Sequence, residues 1–343
     1  MSGDYRVAFI GCGRRALQHV PGVKADGRLR VTAVADVKRE AADALNAAGG
    51  FKAAVYADHR ELLAREKPDV VIACLWTPLH LPVFRDCVEA GARAVLSEKP
   101  MAPSWAESRE MARLADAAKC QLTFCHQRRF APGNRAVRRW IEEGLFGDVR
   151  RMDLYSPRNL LDCGTHTVDQ ALSFNRETPA RWVLGALDLG ETKSSFNVPS
   201  ESMAAATIVF QNGVRAHLQV GGPDMDLWGG VRVAGTKGHV QVLWGGHDIA
   251  GAVYADPSWR PPPVGADPHD DRTMIEAVRD AIDSLETGRE PELSCAKALR
   301  AAEILFAIME SSRRRARVEL PLAVEDVSLA AVLAERAPAP GAA

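Results

Sequence analysis

The stretch VAFIGCGRRA, residues 7–16, constrains the fold more than any other part of the chain. An apolar run, Tyr5 to Ile10, stops at a glycine loop, and a helix is predicted from about residue 14. Gly11, Gly13 and Ala16 therefore stand at the spacing G-x-G-x-x-G/A between a strand and a helix, the context that gives this spacing meaning. Gly11 permits a tight turn, Gly13 lets a pyrophosphate approach the backbone, and Ala16 lets the helix pack close to a sheet. Cys12, Arg14 and Arg15 complete this candidate cradle, in which N–H groups at the helix start hold phosphates. The plainer alternative is an ordinary strand–helix turn.

Asp36 ends the next strand. A carboxylate there accepts ribose hydroxyls and repels a 2′-phosphate, which favours NAD. Lys38 and Arg39 lie close by and would instead draw NADP. Asp36 could also simply cap the helix that follows.

The rest of the first part repeats the same alternation. Leu29–Ala35, KAAVYAD, Val70–Trp76, Ala94–Ser97 and QLTFCH read as strands. Helices are predicted between them, in VKREAADALNAAG with its terminal glycine, in HRELLAREK, near 80–90 ending at Gly91, and over about 104–118. Near-continuous apolar strands in β-α-β order indicate an α/β fold with a parallel sheet covered on both faces. After about residue 125 the pattern changes. VRRMDLY, RWVLGAL, ESMAAATIVF, VRAHLQV, GVRVAG and HVQVLWG follow one another as strands, with a turn at Asn212-Gly213. They predict a largely antiparallel sheet, joined by helices over 271–286 and 295–314 with caps in DPHDD and at Ser294. The expected division is residues 1–125, residues 126–335, and a disordered tail over 336–343. One face of the second sheet should carry Met203, Ala205 and Leu218 outward, and an exposed sheet face of that kind predicts a homo-oligomer.

Composition narrows the class of partner. Apolar residues make up 47% and charged residues 25% of the 343, as in ordinary soluble domains. The net charge of −1 offers no field for nucleic acid or a membrane surface, and the basic run RRRAR at 313–317 reads as the end of a solvated helix. MSGDYRVAFIGCG has no signal-peptide pattern, and no apolar window is long enough to predict a membrane-spanning helix. Seven scattered cysteines without a CxxC pair fit reduced thiols, hence a cytoplasmic location, and give no zinc signature.

VLSEKPMA, residues 95–102, places Glu98, Lys99 and Pro100 where a buried strand stops. With CLWTPLHLP, EAGARAVLSEKPMA, RRFAPGNRAVRRWIEEGLFGDV, RVAGTKGHVQV and ALRAAEILFAIMESSRRRARVELPL, the chain resembles the Gfo/Idh/MocA oxidoreductases over almost its whole length. The resemblance implies an N-terminal Rossmann domain, a C-terminal α+β domain with an open mixed sheet, and a homodimer or homotetramer. It also implies hydride exchange between a nicotinamide and a carbon of a sugar, sugar derivative or cyclic polyol. The family's E-K-P lysine is catalytic and corresponds to Lys99; its D-x-x-x-H corresponds to Asp162 and His166 in LLDCGTHTVDQAL.

The residues support these roles on their own chemistry. Ligands of open α/β sheets sit beyond the carboxyl ends of the strands, where Lys99 lies, and a fixed ammonium stabilises a developing alkoxide. Glu98 is expected to hold Lys99, and Pro100 to fix the turn. A surface ion pair at a strand end is the plain alternative. Asp162 and His166, four apart, fall on one face if a helix starts near Asp162. A neutral imidazole suits a general base, with Asp162 on the substrate or orienting the base. Capping of the helix by Asp162, or a metal held by the pair, are the alternatives.

In TPLHLP, Thr77, Pro78 and His80 are cofactor candidates, as is Glu98, while Pro82 stands where the family often has histidine. Arg158 and Asn159 occupy positions where relatives tend to have small residues. Arg158 is a candidate for an anionic group of the substrate, or for a salt bridge within the protein. Arg128, with His126 and Arg129, is a further substrate candidate, and Trp228, Trp244, His269 and Asp270 are weaker ones. Two other functions fit the same residues: glycoside cleavage through transient oxidation, and a non-catalytic nucleotide or sugar sensor.

Overall fold

The computed structural model describes residues 4–190, 193–222, 229–243, 248–264 and 271–336. Trp228, Trp244, His269, Asp270, most of DPHDD and the tail beyond 336 lie outside the described residues. The chain divides into two compact units, and the division is not contiguous. The first comprises Met1–Ala102, Glu107–Phe130 and His269–Leu299; the second comprises Pro103–Ala106, Ala131–Pro268 and Arg300–Ala343.

The first unit is built on strands β1 (Tyr5–Ile10), β2 (Leu29–Ala35), β3 (Ala54–Tyr56), β4 (Val70–Ala73), β5 (Ala94–Ser97) and β6 (Gln121–Phe124). Helices α1 (Arg14–Ala25), α2 (Arg39–Gly49), α3 (His59–Glu66), α4 (His80–Glu89) and α5 (Trp105–Ala118) connect them. The sheet order is β3-β2-β1-β4-β5-β6, parallel throughout. Val70–Ala73 and Ala94–Ser97 are buried residue by residue, as strands covered on both faces must be. The order reverses between β1 and β4, so the chain leaves both strands at the point where such sheets take their ligands.

The late helix α8 (Asp271–Thr287, numbered after α6 and α7 below) belongs to this unit. Its Val278, Ala281 and Ile282 join Phe9, Val34, Leu45, Ile72 and Leu96 in one apolar core. Gly22 makes the approach of α1 to α8 possible, since a β-carbon there would lie 2.7 Å from Val278 Cγ2 and 2.9 Å from Met274 O.

In the second unit come α6 (Pro132–Glu142), β7 (Val149–Ser156), α7 (Thr165–Phe174) and β8 (Ala180–Asp188). A small hairpin, β9 (Lys193–Ser195) and β10 (Val198–Ser200), precedes β11 (Met203–Phe210), β12 (Arg215–Gly221), β13 (Gly230–Gly235), β14 (Gly238–Leu243) and β15 (Ile249–Val253). Helix α9 (Cys295–Arg314), β16 (Val318–Glu319) and α10 (Leu329–Arg336) follow α8. The large sheet runs β15-β14-β13-β7-β12-β11-β8-β16 and is mixed, with β12 parallel to β7 and its other pairs antiparallel. Asn212-Gly213 makes the expected β11–β12 turn, with Gly213 at φ +84.

One sheet-face assignment is corrected. Leu218 pairs with Ala206 and is buried with Ala216 and Val220 on the covered face. Met203 and Ala205 do face outward, but beside Gln219 and His217 rather than Leu218. The strand period of two decides this, because Leu218 is one residue out of phase with those neighbours.

Gly22→Ala should destabilise the protein by about 1–3 kcal/mol through overpacking against α8. This should outweigh the gain of roughly 1 kcal/mol in helix propensity. Urea unfolding of the two proteins measures the difference, and equal or higher stability of the variant would show that α8 yields at this point.

Candidate active site

In the first unit the glycine loop is shaped by its neighbours. Gly11 has φ +84, and a β-carbon there would collide with Cys74 O, so a side chain is excluded on both counts. The Cys12 N–H donates to Asp36 Oδ2 at 2.7 Å and the Lys38 N–H to Oδ1 at 2.8 Å. Asp36 thus ties the loop to the end of β2 and keeps spare lone pairs on both oxygens. Burial, with the Asp36 charge beside it, pushes the Cys12 thiol up to about 12, so it stays protonated. Arg39 is exposed and paired with Asp43 on its own helix.

Gly13 caps α1 with no side-chain hydrogen bond, no acidic residue follows in the first turn, and a β-carbon on it would meet nothing within 4 Å. A helix start left open in this way suits an anion. Arg14 is exposed beside it, and Ala16 is fully buried. Thr77 begins the turn after β4; its hydroxyl is buried and has no hydrogen-bond partner among the described residues. Pro78 follows, exposed. Val37 and Trp76 are large exposed apolar residues just past β2 and β4. An open helix start, an available carboxylate and an unsatisfied buried hydroxyl fit a dinucleotide.

The end of β5 shows what its charges do. Glu98 is 3% exposed. Its Oε1 accepts from Arg15 Nη2 at 2.9 Å and lies 2.9 Å from His19 Nε2, and Oε2 lies 3.0 Å from the same Arg15 nitrogen. The Glu98 carboxylate is thus engaged by α1. Burial alone would raise the Glu98 carboxyl, but the Arg15 charge and the His19 hydrogen bond outweigh it and hold it down at about 2. Among the described residues His19, Glu98 and Cys125 bring possible metal-binding atoms within 4.8 Å of one another. Arg15 beside Glu98, and burial that pushes the Cys125 thiol up, make this a charge-compensated hydrogen-bond cluster rather than a cation site. Lys99 is half-buried in the turn that follows. His80 braces that turn, with Nδ1 3.2 Å from Met101 O and Nε2 3.2 Å from Leu75 O, and burial lowers its pKa towards the neutral form.

Arg128 is buried in the turn Gln127–Phe130, beside Arg129, which reaches Glu292 at 3.3 Å; His126 is buried as well.

In the second unit the segment before α7 is a π-helical turn, Leu160–Gly164, so Asp162 and His166 straddle the junction of two helical forms. Asn159 starts the turn. Its Oδ1 accepts the Asp162 N–H at 2.8 Å, and its carbonyl accepts Cys163 N–H at 3.2 Å and Gly164 N–H at 3.0 Å. Asp162 and His166 are 5% and 6% exposed, deep enough for their neighbours to set their chemistry. Arg158, at φ +67, donates from Nη1 to Asp162 Oδ2 at 3.2 Å, so the internal salt bridge forms. Reading the sequence alone did not single out His19 or Glu201. His19 sits four residues after Arg15 on α1, a spacing that places both on one helix face.

Glu98→Gln should lower stability at neutral pH by roughly 3 kcal/mol at most, the value of a carboxyl held about 2.5 pH units low. A depressed carboxyl contributes fully above its ordinary 4.5 and loses that contribution as pH falls towards 2. Denaturant unfolding of both proteins at pH 7 and pH 3 should therefore show the gap narrowing in acid, and a gap independent of pH would contradict the assignment.

Residues 5–126 match the family described as "Oxidoreductase family, NAD-binding Rossmann fold". The inositol 2-dehydrogenase/D-chiro-inositol 3-dehydrogenase of Shouchella clausii is 29% identical over 173 residues, 49% of each chain. The D-glucoside 3-dehydrogenase of Escherichia coli is 29% identical over 191 residues, 50% of this chain and 54% of its own. The chain thus spans about half the length of these curated relatives. A levoglucosan dehydrogenase solved in complex with NADH shares the fold at a TM-score of 0.81 and 18% identity, over 93% of this chain and 99% of its own. The glycine loop, the strand-end Glu98-Lys99-Pro100 and these matches agree: residues 5–126 carry the NAD-binding Rossmann fold of the Gfo/Idh/MocA oxidoreductase family.

Proposed function

We propose that the chain is an NAD-dependent dehydrogenase of a secondary alcohol on a sugar, sugar derivative or cyclic polyol. In this reading Lys99, Asp162 and His166 are its proton-handling residues. The observation that carries it is the open start of α1 joined through Asp36 to the end of β2, beside a strand end that presents a lysine. Two relatives named as dehydrogenases of an inositol and of a glucoside support the substrate class.

NAD would be held by the open start of α1, Asp36 and Thr77, and when bound would supply the acceptor for the hydride of the alcohol carbon. His166 takes the hydroxyl proton on an imidazole nitrogen. The Lys99 ammonium stabilises the oxygen while it carries negative charge. Asp162 accepts from a substrate hydroxyl, held in orientation by Arg158 and by the Asn159 cap. Arg158 is 70% exposed and engages Asp162 through one nitrogen, so its remaining donors are offered to an anionic substituent of the substrate. Arg128 is assigned to substrate binding on the same reading.

Lys99→Ala should lower kcat on the order of 100-fold or more while leaving NAD affinity nearly unchanged, because the alkoxide exists only near the transition state. The assay is absorbance of the reduced nicotinamide over a panel of sugars, sugar acids, inositols and glycosides. Near-wild-type kcat in the variant would remove Lys99 from the chemistry.

Asp36→Asn keeps an oxygen acceptor for Cys12 N–H and removes the charge, so it should narrow a wild-type preference for NAD over NADP. Titration of both nucleotides tests this. Tighter NADP binding by the wild type would assign the site to Lys38 or Arg39 instead.

A further inference from the structure

Glu201, between β10 and β11, is 3% exposed, yet its hydrogen-bond partners are main-chain amides rather than a cation. Its Oε1 accepts the Leu160 N–H at 2.5 Å, forty-one residues away in sequence, and its own amide also faces the carboxylate. Leu160 opens the π-helical turn that carries Asp162. Burial raises the Glu201 carboxyl, and the Leu160 amide only partly offsets this. Among the described residues no cation pairs with it, and a buried acid without a counter-charge costs stability that packing alone does not return.

The same strip of backbone is held from two other sides. Gly221, at φ +68, packs so close that a β-carbon would collide with both Arg158 O and Ser202 O. Asn159 closes the turn from inside through Asp162 N–H. Arg158 itself lies in the left-handed region, which costs a non-glycine residue about 1 kcal/mol or more and persists only where the surroundings over-determine it. The carboxylate also sits at the start of a helical segment, where N–H dipoles add in its favour.

We infer that Glu201 is a positioning residue of the catalytic site: by fixing the Leu160 amide it sets where the π-helical turn begins, and so where Asp162 and His166 are presented. This rests on the role proposed for those two residues. The requirement is an oxygen acceptor at a fixed reach. Glutamine therefore replaces Glu201, whereas alanine, which removes the acceptor, and aspartate, which withdraws it by one methylene, do not.

The experiment compares Glu201→Ala, Glu201→Asp and Glu201→Gln with the wild type, using the best alcohol found in the panel together with NAD. Glu201→Ala and Glu201→Asp should lose about 10- to 100-fold in kcat, the scale of a misplacement of about 1 Å, with NAD affinity unchanged. Glu201→Gln should remain within about threefold of the wild type, since it restores the hydrogen bond. Amide hydrogen exchange across 158–167 should quicken in the first two variants, return to normal in the glutamine variant, and stay unchanged over β1–β6. A merely structural carboxylate would lower stability without separating kcat from NAD affinity. Wild-type kcat and exchange in Glu201→Asp would overturn the inference, as would equal loss in all three variants. Should Glu201→Ala not fold, the aspartate and glutamine variants decide by themselves. If the wild type oxidises no alcohol in the panel, the dehydrogenase reading fails while the exchange data still judge Glu201.

Discussion

A buried carboxylate must find compensation where it stands, and in the first unit Glu98 finds it on α1. Arg15 supplies a charge and His19 a ring nitrogen, both 2.9 Å from the same oxygen. The helix whose start is left open for phosphates is thereby fastened to the strand end that presents Lys99. The tie is polar and directional, so it sets the rotation of α1 about its axis as well as its distance from β5. Apolar packing of Ala16 and Val20 would set the distance alone. Removing the charge from Glu98 would leave Arg15 and His19 facing a weaker partner in a desolvated pocket, where an unmatched charge is most expensive.

Much of this unit is readable from the sequence because each signal is local. β1, β2 and β5 have the bounds that their apolar runs indicate, and α2 runs through the predicted terminal Gly49 to a left-handed cap at Gly50, one residue later. The placement of α8 is not local. Its apolar stripe says that one face is buried but not against which sheet, and Val278 and Ile282 settle on α1 and the parallel sheet. Gly22 is the complementary clue, and it is silent until the partner helix is known. The E-K-P motif shows the same limit: adjacency suggests that Glu98 serves Lys99, whereas the carboxylate bonds to Arg15 and His19, some eighty residues earlier in the chain.

The second unit is less legible for a physical reason. Its strands are half-buried, so their faces depend on phase, and in β12 the run from Arg215 to Val220 contains residues whose size does not reveal their side. Leu218 is assigned by register to the covered face with Ala216 and Val220. The D-x-x-x-H spacing of Asp162 and His166 holds across a π-helical turn, where five residues close each hydrogen-bonded ring instead of four. No periodicity of an α-helix predicts that junction. It follows from the acceptors that surround it, the Asn159 side chain and the Glu201 carboxylate.

These two carboxylates solve opposite problems with one device. Glu98 is compensated by a cation and a histidine and is held ionised; Glu201 has only main-chain amides among the described residues and is pushed towards its protonated form by burial. Glu98 ties the end of β5 to α1, and Glu201 holds the amide that opens the π-helical turn. The main chain around Arg158 is clamped by Gly221, Asn159 and Glu201, so the side chain at 158 can change without moving the turn that bears Asp162. Arg158 stands there in a left-handed conformation, its side chain 70% exposed and bonded to the buried Asp162.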